Sequence, residues 1–304
     1  MPLVANWLEG FNVRRRKNIA SLLFSLLLIL ALAWPAYFWT KDNVANLTKW
    51  HNSKLSPIIM IPGSSATENR FDSLVSLINK QSFKKHSLLK VKVWNSGKIT
   101  YQGKINPKDN EPFIVVGFEN NHDGYDNILK QAKMFNKAFT ALTNRYDFNN
   151  FKGIGHSNGG LVYTAFLEKY FNEDDAQIKK LMTIGSPFNF AEKSTANKTQ
   201  MLASFIKNKV NLPSNLIVYS VAGTQNYESD GLVPLDSVEA GKYVYQNQVK
   251  SFTEITVTGV DAQHSSLPQN KQIVSLITEY ILDKHTLDGK GKLNPSPNQS
   301  DNRN

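Results

Sequence analysis

The sequence predicts an α/β fold, a mostly parallel central sheet flanked by helices, with one transmembrane helix ahead of it. Three observations carry the prediction. Short apolar runs alternate with longer stretches whose apolar residues recur at helical spacing, the order that builds parallel strands joined by right-handed crossovers. One junction between such a run and such a stretch reads Gly155-His156-Ser157-Asn158-Gly159. Ahead of them all, Ile19 to Trp39 is an apolar run interrupted only by Ser21, Ser25 and Pro35.

Taken in order, the chain opens with a basic N-terminus, residues 1–17, ending in Arg14-Arg15-Arg16-Lys17. Residues 18–40 are long enough at 1.5 Å per residue to cross a hydrocarbon core of about 30 Å. The preceding cations place the N-terminus in the cytoplasm and everything after Thr40 outside. Ala31-Leu32-Ala33 resembles a cleavage box, but the long apolar run and the aromatic belt of Trp34, Tyr37, Phe38 and Trp39 favour an uncleaved signal anchor over a signal peptide. Residues 41–56 are polar and read as a stalk, residues 57–285 as the α/β domain, and residues 286–304, rich in Asn, Ser, Pro, Gly and Lys, as a disordered tail.

Within the domain, Ile58 to Ile61 is too short for a helix and fits a buried strand that ends in a turn at Pro62-Gly63. Phe71, Leu74, Val75, Leu77 and Ile78 follow at helical spacing. Leu89 to Trp94 and Ile99 to Lys104 pair around Asn95-Ser96-Gly97, and Phe113 to Phe118 is another buried strand. Tyr125 to Tyr146 is a long amphipathic helix without internal Gly or Pro. After Gly159 come strands at Lys180 to Ile184, Leu216 to Ala222 and Phe252 to Val257, then a helix over Ile273 to Ile281. Between Pro187 and Pro213 there is room for about one helix, which predicts an open site without a large lid.

The junction at Ser157 has the form of a nucleophile elbow. A serine hydroxyl is a poor nucleophile until a base takes its proton, so it must stand clear of the fold where a histidine and a carbonyl carbon both reach it. A tight strand-to-helix turn does this, provided that its flanks are small, hence Gly155 and Gly159. The helix that follows offers amides bearing partial positive charge. A glycine-rich turn with an inert serine is the bland alternative; the strand before and the amphipathic stretch after argue against it.

Where a serine stands on such an elbow, the acid and the base follow it in the chain on loops after later strands. Of the six histidines, His264 meets that requirement. His51 falls in the stalk, His285 borders the tail, His86 sits in a Lys-rich helix end, His156 adjoins the serine on the wrong side, and His122 precedes the elbow. Asp230, in Glu228-Ser229-Asp230-Gly231, is the expected acid, with Asp236, Asp261 and Glu228 as substitutes. Two backbone amides are expected to hold an oxyanion: Asn158, and Ser64 from the loop after the first strand, with Ser65 close behind.

Composition narrows the class. There is no cysteine, so neither disulfides nor thiolate metal sites hold the fold, which suits a Gram-positive surface. The formal net charge is +10. Most of it is dispersed lysine without the basic helix of a nucleic-acid binder; a solvated surface is the plain account, attraction to anionic envelope polymers or lipid heads the functional one.

Pro62-Gly63-Ser64-Ser65, the Gly-His-Ser-Asn-Gly-Gly elbow, Ile184-Gly185-Ser186-Pro187-Phe188-Asn189, Ser229 to Pro234 and His264-Ser265-Ser266-Leu267, in that order, resemble the α/β-hydrolase superfamily and within it the exported Firmicutes cell-surface hydrolase family. Pro62 departs from the family, which usually has histidine before the glycine. The resemblance spans about Ser56 to Tyr280. It implies the α/β-hydrolase fold and an exported serine hydrolase with the triad Ser157, Asp230 and His264. The expectation is therefore a single-pass membrane-anchored carboxylesterase acting outside the cell on a small-molecule or envelope ester, with no cofactor, no metal and no nucleic-acid partner. The alternatives are an acyltransferase to an envelope alcohol and a catalytically dead surface binding module.

Overall fold

In the computed structural model, residues 19, 21–40 and 53–283 are described; the N-terminal seventeen residues, most of the predicted stalk and the predicted tail lie outside them. The chain forms two units, residues 1–51 and 52–304. In the first, helix α1, Ser21–Thr40, is twenty residues long and exposed along its length. By length and composition it is able to cross a membrane.

The second unit is built on an eight-stranded sheet in the order β3-β2-β4-β1-β5-β6-β7-β8. Its strands are β1 (Ile58–Ile61), β2 (Leu88–Val93), β3 (Ile99–Gly103), β4 (Phe113–Phe118), β5 (Asn150–His156), β6 (Gln177–Ile184), β7 (Ile217–Thr224) and β8 (Ser251–Thr258). All neighbours are parallel except the β2–β3 hairpin, paired as Lys90↔Gln102 and Val91↔Tyr101. The helices are α2 (Asp72–Gln81), α3 (Tyr125–Tyr146), α4 (Asn158–Lys169), α5 (Gln200–Asn208), α6 (Leu235–Glu239), α7 (Lys242–Tyr245) and α8 (Lys271–Leu276), the last continuing as a π turn through Ile281.

The period of two along a strand sorts the core into two layers. On β1, Ile59 and Ile61 join the cluster of α3, α4 and α5, where Phe135, Phe139 and Phe166 pack. Ile58 and Met60 face the other way, toward Phe71 just before α2, Leu74 and Ile78 of α2, and Ile273 and Ile277 of the α8 segment. Helix α3 keeps its apolar stripe Ile128, Ala132, Phe135, Ala138, Phe139 and Leu142 buried; it ends at Asp147, whose left-handed backbone at φ 51° gives its amide to the Thr143 carbonyl.

Three features at the amino ends of the strands were not foreseen. Lys152, fully buried in β5, is ion-paired with Glu111 and, at 2.9 Å, with Asp283, whose amide also donates to Glu111. Ser53 to Ser56 belong to the body rather than to a stalk: the Ser53 amide donates to Asn149 Oδ1 and the Ser56 amide to the Asn110 carbonyl. His86 likewise is not on a helix end. Helix α2 stops at Gln81, and His86 is buried in the loop beyond it, 2.8 Å from the Glu111 carbonyl.

Candidate active site

In a parallel sheet the carboxyl ends of all strands open on one edge, and loops leaving neighbouring strands meet there. Strands β1 and β5 are neighbours, with Ile61 opposite Gly155. The loop after β1 therefore abuts the turn after β5, and a Cβ placed on Gly63 would stand 2.6 Å from Ser157 Cβ. Asp230 follows β7 and His264 follows β8, the second and third strands beyond β5 along the same edge.

Ser157 is the strained residue of the elbow. Its φ of 54° and ψ of −129° lie where side chains cost about 1–3 kcal/mol. The turn is held from both sides: the Ser157 amide donates to the Ile184 carbonyl at 2.8 Å, and its own carbonyl accepts from the Gly160 amide at 3.1 Å. Gly159 is required by close approach, because any side chain there would run into the Ile61 carbonyl. The turn thus lifts Ser157 to the head of α4, where it lines a cleft of about 640 Å³ together with His264.

His264 Nδ1–H donates to Asp230 Oδ2 at 2.6 Å. Asp230 is 1 % exposed, and its other oxygen accepts the Leu232 and Val233 amides at 3.0 and 2.7 Å. Both carboxylate oxygens are thus engaged, and the imidazole is fixed with Nε2 left as the acceptor. The loop carrying His264 is braced at several points. Its amide donates to the Asp230 carbonyl, Arg70 Nη2 donates to the Ser265 carbonyl, and Asn270 donates to the Asp261 carbonyl while capping α8.

Of the two serines in the β1 loop, Ser65 has φ 56° and spends its amide on the Asn121 carbonyl at 2.8 Å. The Ser64 amide donates to no group among the described residues, and neither does that of Asn158 at the start of α4. Ser64 and Asn158 both line the cleft, so the loop presents Ser64, not Ser65, as a free donor. The Asn158 side chain is held away, donating to Asp123 Oδ1 at 2.6 Å.

The structure thus brings Ser157, Asp230, His264, Ser64 and Asn158 to one place. Asp236 lies in the first turn of α6 and Asp261 in a turn before His264; the carboxylate hydrogen-bonded to the imidazole is that of Asp230, and His122 does not line the cleft. Four further residues belong to the site. His156 packs against His264 with ring centroids 4.9 Å apart and the rings tilted by 35°, and its Nε2–H donates to the His264 carbonyl at 3.0 Å. Burial first, then the neighbouring His264 and Arg70, hold its pKa well below the usual imidazole range, so it stays neutral. Arg70 and Asp123 line the cleft, and Gly185, at φ 56°, leaves room beneath the pair, since a Cβ there would sit 3.2 Å from Asp230 Oδ2 and 3.3 Å from His264 Nδ1. A charged residue thirty or more positions from its partner leaves no local pattern, so Arg70 and Asp123 carry no sequence signal, whereas His156 and Gly185 lie within the elbow and the Ile184 to Asn189 motif.

The cleft is walled on one side by Pro187, Phe190, Ala191, Leu232 and Val233. Leu232 is 70 % exposed, so the apolar wall reaches the surface. Among the described residues no cluster of His, Cys, Asp or Glu has the makings of a metal site.

Comparison with known proteins bears on what this site belongs to. No curated protein matches. A solved structure from Lactobacillus plantarum WCFS1, described as a cell surface hydrolase, is 55 % identical, with 75 % of this chain and 92 % of that one covered at a TM-score of 0.70. A Listeria innocua gene product is 29 % identical, over 77 % and 97 % of the two chains, at a TM-score of 0.67. The family model described as alpha/beta hydrolase of unknown function (DUF915) matches residues 46–284, and the chain accordingly belongs to that α/β-hydrolase family.

Proposed function

We propose that the protein is a membrane-anchored serine hydrolase of the cell surface, a carboxylesterase working through an acyl-enzyme. The observation that carries this reading is the Ser157 elbow facing the His264–Asp230 pair across one cleft. Ser157 Oγ attacks the acyl carbon while His264 Nε2 takes its proton; Asp230 holds the imidazole in the accepting tautomer and stabilises the cation that forms. The free amides of Ser64 and Asn158 receive the oxyanion, and the head of α4 adds its partial positive charge. His264 then protonates the leaving alcohol. Water attacks the acyl-enzyme in a second round of the same proton transfers, releasing the acid and restoring Ser157. Because the base must be neutral, turnover falls on acidification.

The short apolar wall from Pro187 to Val233 favours small or extended acyl groups over buried long chains. The anchor is α1, with the basic segment before it retained in the cytoplasm. One experiment tests nucleophile and exposure together. A membrane-impermeant fluorophosphonate applied to intact cells should label the wild type in the cell-bound fraction and leave Ser157→Ala unlabelled, with esterase turnover down by at least about 10⁴-fold. Equal labelling of both proteins would remove the serine-hydrolase reading; labelling only after lysis would reverse the orientation.

A further inference from the structure

Away from the cleft, a groove of about 800 Å³ opens between the β2–β3 hairpin and the outer face of α3. Its wall on α3 carries Lys130, Lys133 and Lys137, all exposed, and none forms an ion pair among the described residues. No carboxylate lines the groove. The acids on the flanking segments are Glu119, whose carboxylate accepts the Asn95 amide at 2.6 Å, and Asp126, one turn ahead of Lys130 and outside the lining. Lys92, its Nζ 4.5 Å above the Trp94 ring, lies outside the lining. Cations gathered without counter-ions around a concavity repel one another, and an anionic ligand relieves that repulsion.

Spacing says what kind of anion. Positions i, i+3 and i+7 share one helical stripe, with rises of about 4.5 and 6 Å that spread the charge over roughly 10 Å. A lone phosphate spans a fraction of that; a chain with charges repeating at this interval meets all three. The intervening lining is neutral and hydrogen-bonding, with Asn95, Asn136, Thr140 and Asn144, over an apolar floor of Val93, Ile99 and Met134. Amides and a hydroxyl between the charges suit a ligand that carries hydroxyls between its own. Trp94 is the single aromatic ring in the lining and Lys92 already covers one of its faces, so there is no stacking platform for bases. Concavity argues against a flat bilayer.

We propose that this groove binds a linear polyol phosphate, laid along α3 with successive phosphates on Lys130, Lys133 and Lys137. The proposal concerns binding alone and is independent of what Ser157 does.

The test is titration of a fluorescent glycerol phosphate hexamer into the full-length protein, held in zwitterionic nanodiscs, across a range of salt. Wild type should bind, and the triple variant Lys130→Gln, Lys133→Gln, Lys137→Gln should bind at least about 10-fold more weakly. The slope of log affinity against log salt should fall by about 2, near 0.7 for each phosphate that is no longer neutralised. The corresponding triple Lys→Arg variant should retain binding, and unchanged thermal melting of both shows that the fold survives. Equal binding by wild type and the Gln variant overturns the proposal. So does monomeric glycerol phosphate binding as tightly as the hexamer, tighter binding of poly-glutamate or oligothymidylate, or association that appears only with anionic lipid in the disc.

Discussion

Asp230 shows how little freedom the site leaves a single side chain. One oxygen is committed to the Leu232 and Val233 amides, which aims the other at His264 Nδ1. Asp230→Asn should keep the first pair of bonds, and so the loop, while offering His264 an NH₂ donor where it needs an acceptor. The imidazole then adopts the tautomer that is unable to take the Ser157 proton. Turnover of a short-chain chromogenic ester should drop about 10⁴-fold with the melting temperature nearly unchanged. A fully active Asn variant would place the acid elsewhere. His156 works on the same imidazole from the opposite side without competing for the proton: it is buried, neutral, and bonded to the His264 backbone rather than its ring.

Helix α4 bears Ser157 at its head and, three turns on, Glu168, which is 5 % exposed with neither carboxylate oxygen hydrogen-bonded. Burial, only partly offset by the Lys169 charge, pushes its pKa up to about 9. An unfolded glutamate titrates near 4.3, so between about pH 5 and 8 the native state holds a proton that the unfolded chain has lost. Stability therefore falls as pH rises through that window, by at most about 1.4 kcal/mol per unit from this group, and levels off above the folded pKa. Glu168→Gln should abolish this slope, raising the melting temperature more at pH 9 than at pH 5; identical shifts at both would show Glu168 ionised in the fold. Nothing local in Leu167-Glu168-Lys169 marks it, whereas long periodic elements declare themselves. The bounds read for α3, Tyr125 to Tyr146, are those observed, because one stripe of six apolar residues has a single helical solution. Helices α6 and α7, five and four residues long, lie below any period. That Ser157, Asp230 and His264 come together was legible because chain order and strand ends constrain them; Arg70 and Asp123 were not, because contacts between loops leave no repeat, and His156 shows in the elbow without showing which backbone it holds.

The molecule gathers its candidate site at one edge of the sheet and a buried lysine with its acids near the other. Lys152 has Glu111 and Asp283 as partners, and a buried cation deprived of an acid is costly. Asp283→Asn should lower stability by roughly 1–3 kcal/mol, read by denaturant titration of wild type and variant; an unchanged midpoint would show that Glu111 alone suffices for Lys152. Asp283 closes a contact with a strand made some hundred and thirty residues earlier, and α8 just before it completes the layer over Ile58 and Met60. A consequence follows for the order of events during synthesis. A chain that emerges amino end first cannot seat Lys152 on Asp283 or seal that layer until α8 and Asp283 are out, so folding of the sheet waits for a segment made long after its first strands. If α1 engages the export machinery first, the segment behind it crosses as an unfolded thread, and the elbow acquires its strained geometry only on the far side.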